Sequence, residues 1–258
     1  MVRGECLNNL IITRATVTHS YRENLALTSL LTTLPGSRSN DNVVIAADDS
    51  KPEIRARVVS DCERAMLNSP GTLIFSLAES KPGRGAVVRR GMKLAREEYP
   101  NLVAIMECDS DESHQPQDIL RLRDSLISCD LLMDNRYLKK SQIVGWQIKC
   151  RNFSRILNVS IPFLLQLHVK DITNGLRKCA IRAVDLILSN KANSSGFIYL
   201  SEQALLISRR GFEVQEIPSM FTDRELGSST VTWREIVDSI LGIIKLVSLE
   251  FGSRFTSK

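Results

Sequence analysis

Four times in its first 110 residues the chain passes from a short aliphatic run into a segment of helical period. The runs are Leu10–Ile12 extending towards Val17, Val43–Ala47, Thr72–Ser76 and Leu102–Met106, and a fifth, Leu131–Met133, follows. Each is long enough for a buried strand and too short for a buried helix. Strands alternating with helices predict an α/β layered fold around a mostly parallel sheet.

The helix signals between the runs agree. Ser20 and Glu23 have capping-box spacing, so each side chain can satisfy a free backbone donor of the first turn. Leu27, Leu30, Leu31 and Leu34 then form one apolar stripe, which Pro35-Gly36 ends. Pro52 and Pro116 stand where the first turn of a helix tolerates proline. The polar stretch Ser189–Ser195 reads as a linker. In the last part of the chain the pattern changes. Arg151–Leu167 and Thr232–Phe251 are long and amphipathic, suited to packing on the sheet or to lying on a membrane surface. Pro162 is expected to break any helix in the first of these and to expose Phe163.

Lys and Arg total 34 against 29 Asp and Glu, a net charge of +5 over 258 residues. A mild, dispersed excess suits phosphate-bearing ligands or an anionic surface and argues against a nucleic-acid partner. The six cysteines, Cys6, Cys62, Cys108, Cys129, Cys150 and Cys179, include no C-x-x-C pair and no cluster with histidine at zinc spacing. Several of them sit in apolar strand-like runs and read as small buried side chains, which points to a reducing compartment. Neither a signal peptide nor a membrane-spanning run is legible, so a cytoplasmic location is expected, with a contact at the cytoplasmic face of a membrane compatible.

The chemistry-bearing positions cluster after the strands. Cys108-Asp109-Ser110-Asp111-Glu112-Ser113-His114 follows Leu102–Met106 directly. Carboxylates at i and i+2, placed where an open α/β sheet binds ligands, can converge on one hard cation whose shell diphosphate oxygens complete. Asp48-Asp49 after Val43–Ala47 repeats the arrangement, with a ribose or base acceptor or a helix cap as its two readings. Lys81-Pro82-Gly83-Arg84-Gly85 sets a cation and backbone amides before a helix, a phosphate-binding pattern without a Walker ending.

In order, these motifs resemble the dolichyl-phosphate mannose synthase branch of the family 2 glycosyltransferases. That branch opens T-Y-N-E, where this chain has Thr18-His-Ser20-Tyr21-Arg-Glu23. It continues with D-D-G-S (Asp48-Asp49-Ser50), K-x-G-x-G (Lys81 to Gly85) and D-A-D-x-S/Q-H-P-P (Asp109 to Pro116). G-S-R-Y matches Asp134-Asn-Arg136-Tyr137, D-x-T-x-G-x-R matches Asp171 to Arg177, and E-V-P-x-x-F-x-D-R-x-x-G-x-S-K matches Glu216 to Thr230.

The resemblance implies a Rossmann-like GT-A fold, with a GT-A domain over residues 1–230 and a C-terminal amphipathic helix and tail over 231–258. It implies an inverting transfer of a hexose, mannose or glucose, from a nucleotide diphospho-sugar to a polyprenyl or dolichyl phosphate. Asp109, Asp111 and Ser113 are expected to hold Mg2+ or Mn2+. Asp48, Asp49, Lys81, Gly85 and Asp109 are expected at the nucleotide-sugar, and Arg136, Arg151 and Arg224 at the acceptor phosphate. Asp111, Arg136 and Arg151 are expected to carry the chemistry. Ser20 and Tyr21 depart from the base-reading pair, which leaves the donor base and sugar open; Ser50 replaces the glycine of D-D-G, and Thr230 replaces the closing lysine, a cation expected near the acceptor phosphate. Two alternatives stand beside this reading: a soluble glycan or small-molecule acceptor, and a degenerate nucleotide-binding protein without turnover.

Overall fold

A computed structural model describes residues 10–14, 43–48, 60, 72–77, 84–109, 114–191, 198–222, 241–245 and 248. The aliphatic runs are strands: β1 (Leu10–Arg14), β2 (Val43–Asp48), β3 (Thr72–Leu77), β4 (Ala104–Asp109) and β5 (Leu131–Asn135). Between them lie α1 (Arg84–Glu98) and α2 (Pro116–Arg123), the latter with proline in its first turn, as the sequence predicts. Then come β6 (Gln142–Val144), α3 (Ile148–Leu165), β7 (Arg177–Ala180), α4 (Ile181–Ser189), α5 (Tyr199–Arg209), β8 (Val214–Pro218) and β9 (Met220–Thr222). The helix signals at 20–35 and near Pro52 lie outside the described residues.

The main sheet has the order β3-β2-β1-β4-β7-β5-β8. Strands β1 to β4 are parallel, as are β5 and β8, and β7 runs antiparallel between β4 and β5. A mostly parallel sheet is buried on both faces. All five residues of β5 are accordingly buried, as are the first five of β4. Val87, Val88 and Met92 of α1, Val184 and Ile187 of α4, and Ala204 and Ile207 of α5 join Ile105, Leu131 and Met133 in one core. Cys108 and Cys179 are buried among the apolar residues, and burial pushes the Cys179 thiol up to about 12.

Two expectations about the second half change. Pro162 does not break the helix, because α3 continues through it to Leu165 and closes on Gln166 in the left-handed conformation at φ 53°. The proline lies in the last turn, so its missing N–H costs one bond near an end that is terminating anyway. The Pro162 carbonyl instead accepts the N–H of Leu167 at 2.8 Å. Phe163 is exposed all the same, now on a continuous helix. The stretch read as a linker begins inside α4, which extends through Ser189. Within the C-terminal amphipathic segment, residues 241–245 are helical. Ile243 there is buried, and a Cβ on Gly242 would meet the Ile198 side chain at 3.0 Å. Part of this segment therefore packs on the body, while Leu241 and Ile244 face outward.

Candidate active site

Parallel strands carry their carboxyl ends to one edge of the sheet, where α/β folds bind ligands. Register puts Arg14 of β1 beside Asp109 of β4, and Asp48 of β2 ends beside Leu77 of β3. Asp48 and Asp109 therefore share that edge. Helix α1 starts after β3, which brings Gly85 and the free amides of its first turn to the same side.

Asp109 ends β4 with about a fifth of its side chain exposed, and His114 Nε2 lies 3.8 Å from its Oδ2. His114 makes a bridge to Phe221 of β9. Asp111 and Ser113 lie outside the described residues, as do Asp49, Lys81 and Arg224. Among the described residues no group of three or more His, Cys, Asp or Glu could hold a metal ion. Asp109 supplies a hard oxygen donor at the edge, the donor type that magnesium and manganese prefer.

Next to this edge a polar network ties β5, α2 and β9. Asp118 of α2 accepts the N–H of Met220 at 2.9 Å and pairs with Arg121 at 2.8 Å. Arg121 reaches Asp134 of β5, also at 2.8 Å. Asp134 has no solvent exposure. Burial pushes its carboxyl up from 3.8 to about 6; Asp118 adds to this, while Ser219, His114 and Arg121 pull the other way. The folded protein therefore holds a proton on Asp134 that the unfolded chain releases near its ordinary value. Stability is expected to fall as pH rises from about 4 to about 6, and the cost, about 3 kcal/mol at most, is fully present above that window. Asp134→Asn should flatten this slope in thermal unfolding followed across the same range. An unchanged slope would assign it to other groups.

Arg136, the residue after β5, is held by Asp171. Its backbone N–H donates to Asp171 Oδ2 at 3.0 Å, Nε to Oδ2 at 2.7 Å and Nη2 to Oδ1 at 2.7 Å. Nη2 also donates to Thr173 Oγ1 at 2.7 Å. The guanidinium lies 4.9 Å from the Trp146 ring and 5.5 Å from that of Phe221, whose centroids are 4.9 Å apart. Burial pushes the Arg136 pKa down, but Asp171 outweighs it and the net shift is upward. The network continues into α3: Asn158 Nδ2 donates to Thr173 Oγ1 at 2.8 Å and Tyr137 Oη to Ser154 Oγ at 2.8 Å. Arg136 is thus buried and charge-compensated, a structural task absent from the sequence reading. Its Nη1 has no hydrogen-bond partner among the described residues. Arg151, on the first turns of α3, is exposed and its side chain makes no ion pair among them.

Asp171, Thr173, Asn158 and Trp146 were not assigned roles from sequence. The D-x-T-x-G-x-R block was the only signal for the first two, and it carried no partner. Arg177, its last residue, has no solvent exposure. It donates from Nε to the carbonyl of Asn174 at 2.9 Å, and from Nη1 and Nη2 to those of Leu200 and Ile172, both at 2.6 Å.

The mostly parallel sheet, with an acidic strand end at its carboxyl edge, has the GT-A fold of solved glycosyltransferase structures. In sequence the chain is related to mannosyltransferases that use polyprenyl phosphates. It is 27% identical over 202 residues to the polyprenol monophosphomannose synthase of Mycolicibacterium smegmatis, covering 78% of this chain and 74% of that one. It is 25% identical over 169 residues to the undecaprenyl-phosphate mannosyltransferase of Micrococcus luteus, covering 64% and 68%. Among solved structures, glucosyl-3-phosphoglycerate synthase from Mycobacterium tuberculosis, in complex with Mn2+, UDP-glucose and phosphoglyceric acid, shares the fold at a TM-score of 0.60 and 11% identity, over 93% of this chain and 80% of that one. No protein-family model matches the chain.

Proposed function

We propose that this glycosyltransferase moves a hexose from a nucleotide diphospho-sugar to a polyprenyl phosphate, with inversion at the sugar, on the cytoplasmic side of a membrane. The observation that carries the donor half is Asp109, an acidic oxygen at the carboxyl end of a buried parallel strand. The acceptor half rests on the two mannosyltransferase relatives. Asp109, Asp111 and Ser113 are the residues that would hold a divalent cation, magnesium or manganese. Bound there, the cation supplies positive charge to the departing diphosphate.

In this reading Asp48 and Asp49 accept hydrogen bonds from the nucleoside, and Lys81 with the amides around Gly85 meets the diphosphate at the start of α1. A phosphate monoester is anionic near neutral pH and attacks without a strong base. The protein's work is then to place it. Arg151 and Arg224 supply charge to the acceptor phosphate. Arg136, fixed by Asp171, offers it the Nη1 donor.

Asp111→Asn keeps the shape of the loop and removes the charge a hard cation prefers. It is expected to abolish metal-dependent nucleotide binding, measured by calorimetry with each divalent ion, while the melting midpoint of the apo protein stays put. Undiminished metal-dependent affinity in that variant would remove the acidic loop from the site.

A further inference from the structure

Helix α3 is buried on one face and carries an apolar stripe on the opposite one. Its inner face, with Ser154, Asn158, Ile161, Pro162 and Leu165, is buried. On the outer face Ile148 is 76% exposed, Ile156 62%, Val159 64% and Phe163 82%. At 3.6 residues per turn these four side chains fall within roughly 80° of arc, a single stripe along a helix roughly 27 Å long. Exposed apolar residues scattered singly need no explanation, but a continuous stripe does.

The charge around the stripe names the occupant. Lys149, Arg151 and Arg155 are exposed, and the helical period sets Lys149 along one edge of the stripe and Arg155 along the other, with Arg151 further round on the Arg155 side. Over its 18 residues the helix has no Asp or Glu. Long basic side chains beside an apolar stripe can extend their charges to lipid phosphates while their stems lie along the acyl boundary. A second copy docking through the same face would bring these basic edges together, which disfavours a symmetric dimer. Among the described residues no helix is long and apolar enough to cross a membrane.

We propose that the outer face of α3 seats this protein on the anionic surface of a lipid bilayer, with Ile148, Ile156, Val159 and Phe163 in the interface and the three basic residues at phosphate level. The inner face of the same helix holds Thr173 through Asn158, and Thr173 accepts from Arg136. The surface that touches lipid and the group assigned to the acceptor phosphate are therefore two sides of one helix. The docking itself does not depend on the proposed reaction.

The test is sedimentation of the whole chain with vesicles, without donor or acceptor. Vesicles of mixed phosphatidylglycerol and phosphatidylcholine should recover the protein at low salt, and added salt should release it, because exposed charges are screened over roughly 8 Å at physiological ionic strength. Pure phosphatidylcholine should recover much less. The double substitution Ile156→Ser with Phe163→Ser should weaken vesicle binding about tenfold or more. Its melting midpoint should hold, since both side chains already face solvent. Arg155→Gln should weaken binding to the anionic vesicles alone. Wild-type protein that stays in solution with anionic vesicles at low salt, or serine variants that bind as well as wild type, would overturn the proposal. So would equal recovery on both vesicle types, or a dimer in solution that the serine pair dissociates. Nucleotide titrations without vesicles report on the donor site separately, so either reading can fail alone.

Discussion

Replacing Arg177 with Met is expected to remove about 3–9 kcal/mol of folding stability, a large share of the roughly 5–15 kcal/mol typical of a domain. The guanidinium is fully buried and donates to the carbonyls of Ile172, Asn174 and Leu200. Met fills a similar volume but leaves those acceptors without this donor in an interior that water does not reach. Each costs about 1–3 kcal/mol. Arg177→Lys keeps the charge, but a single ammonium lacks the planar fork that serves three carbonyls at once, so it should rescue only part of the loss. Urea unfolding of both variants checks the order. A loss below about 1 kcal/mol for Arg177→Met would mean that the carbonyls find other donors.

The second large effect concerns the pair of Arg136 and Asp171. Removing one member of a buried ion pair strands the other, at about 3–5 kcal/mol. Asp171→Ala should therefore destabilise strongly, because the carboxylate accepts three hydrogen bonds from Arg136. Replacing both partners with apolar residues, Arg136→Met with Asp171→Leu, should recover much of the loss, since no charge is then left alone. The double variant also separates architecture from chemistry. If Arg136 serves the acceptor phosphate, the recovered protein should bind nucleotide yet fail to transfer sugar to a polyprenyl phosphate. Full transfer activity in a stable double variant would reduce Arg136 to a strut.

The strands that could be read in the sequence are those built on a short apolar run. Leu10–Ile12, Val43–Ala47, Thr72–Ser76 and Leu131–Met133 lie within strands, and Leu102–Met106 starts two residues before its strand. Strands β6 to β9 escaped because they are short and mixed: Arg177-Lys-Cys-Ala and Val214-Gln-Glu-Ile-Pro show neither a clean alternation nor an apolar run. Their place is dictated by neighbours far along the chain, which local pattern does not encode. The same holds at the site. Asp109 was visible because it ends a hydrophobic run. The role of Asp171 was not, because its partner lies 35 residues away and only folding brings the two together. Pro162 misled for a related reason: the rule about proline concerns helix interiors, and the sequence did not show that α3 was about to end.

The antiparallel strand β7 has a consequence for how the chain assembles. It pairs on one side with β4 and on the other with β5, so among the described strands it alone hydrogen-bonds the four-stranded parallel half to the β5-β8 half. Roughly seventy residues separate β4 from this strand, so its pairing closes a long loop and comes late. A ribosome delivers Ala104–Asp109 and Leu131–Asn135 well before Arg177–Ala180. Until then both carry an open edge, one on each side of a gap the width of a strand. Such edges are templates for other chains. A nascent chain halted before Arg177 is thus a species for which a chaperone that shields exposed strands has most to do.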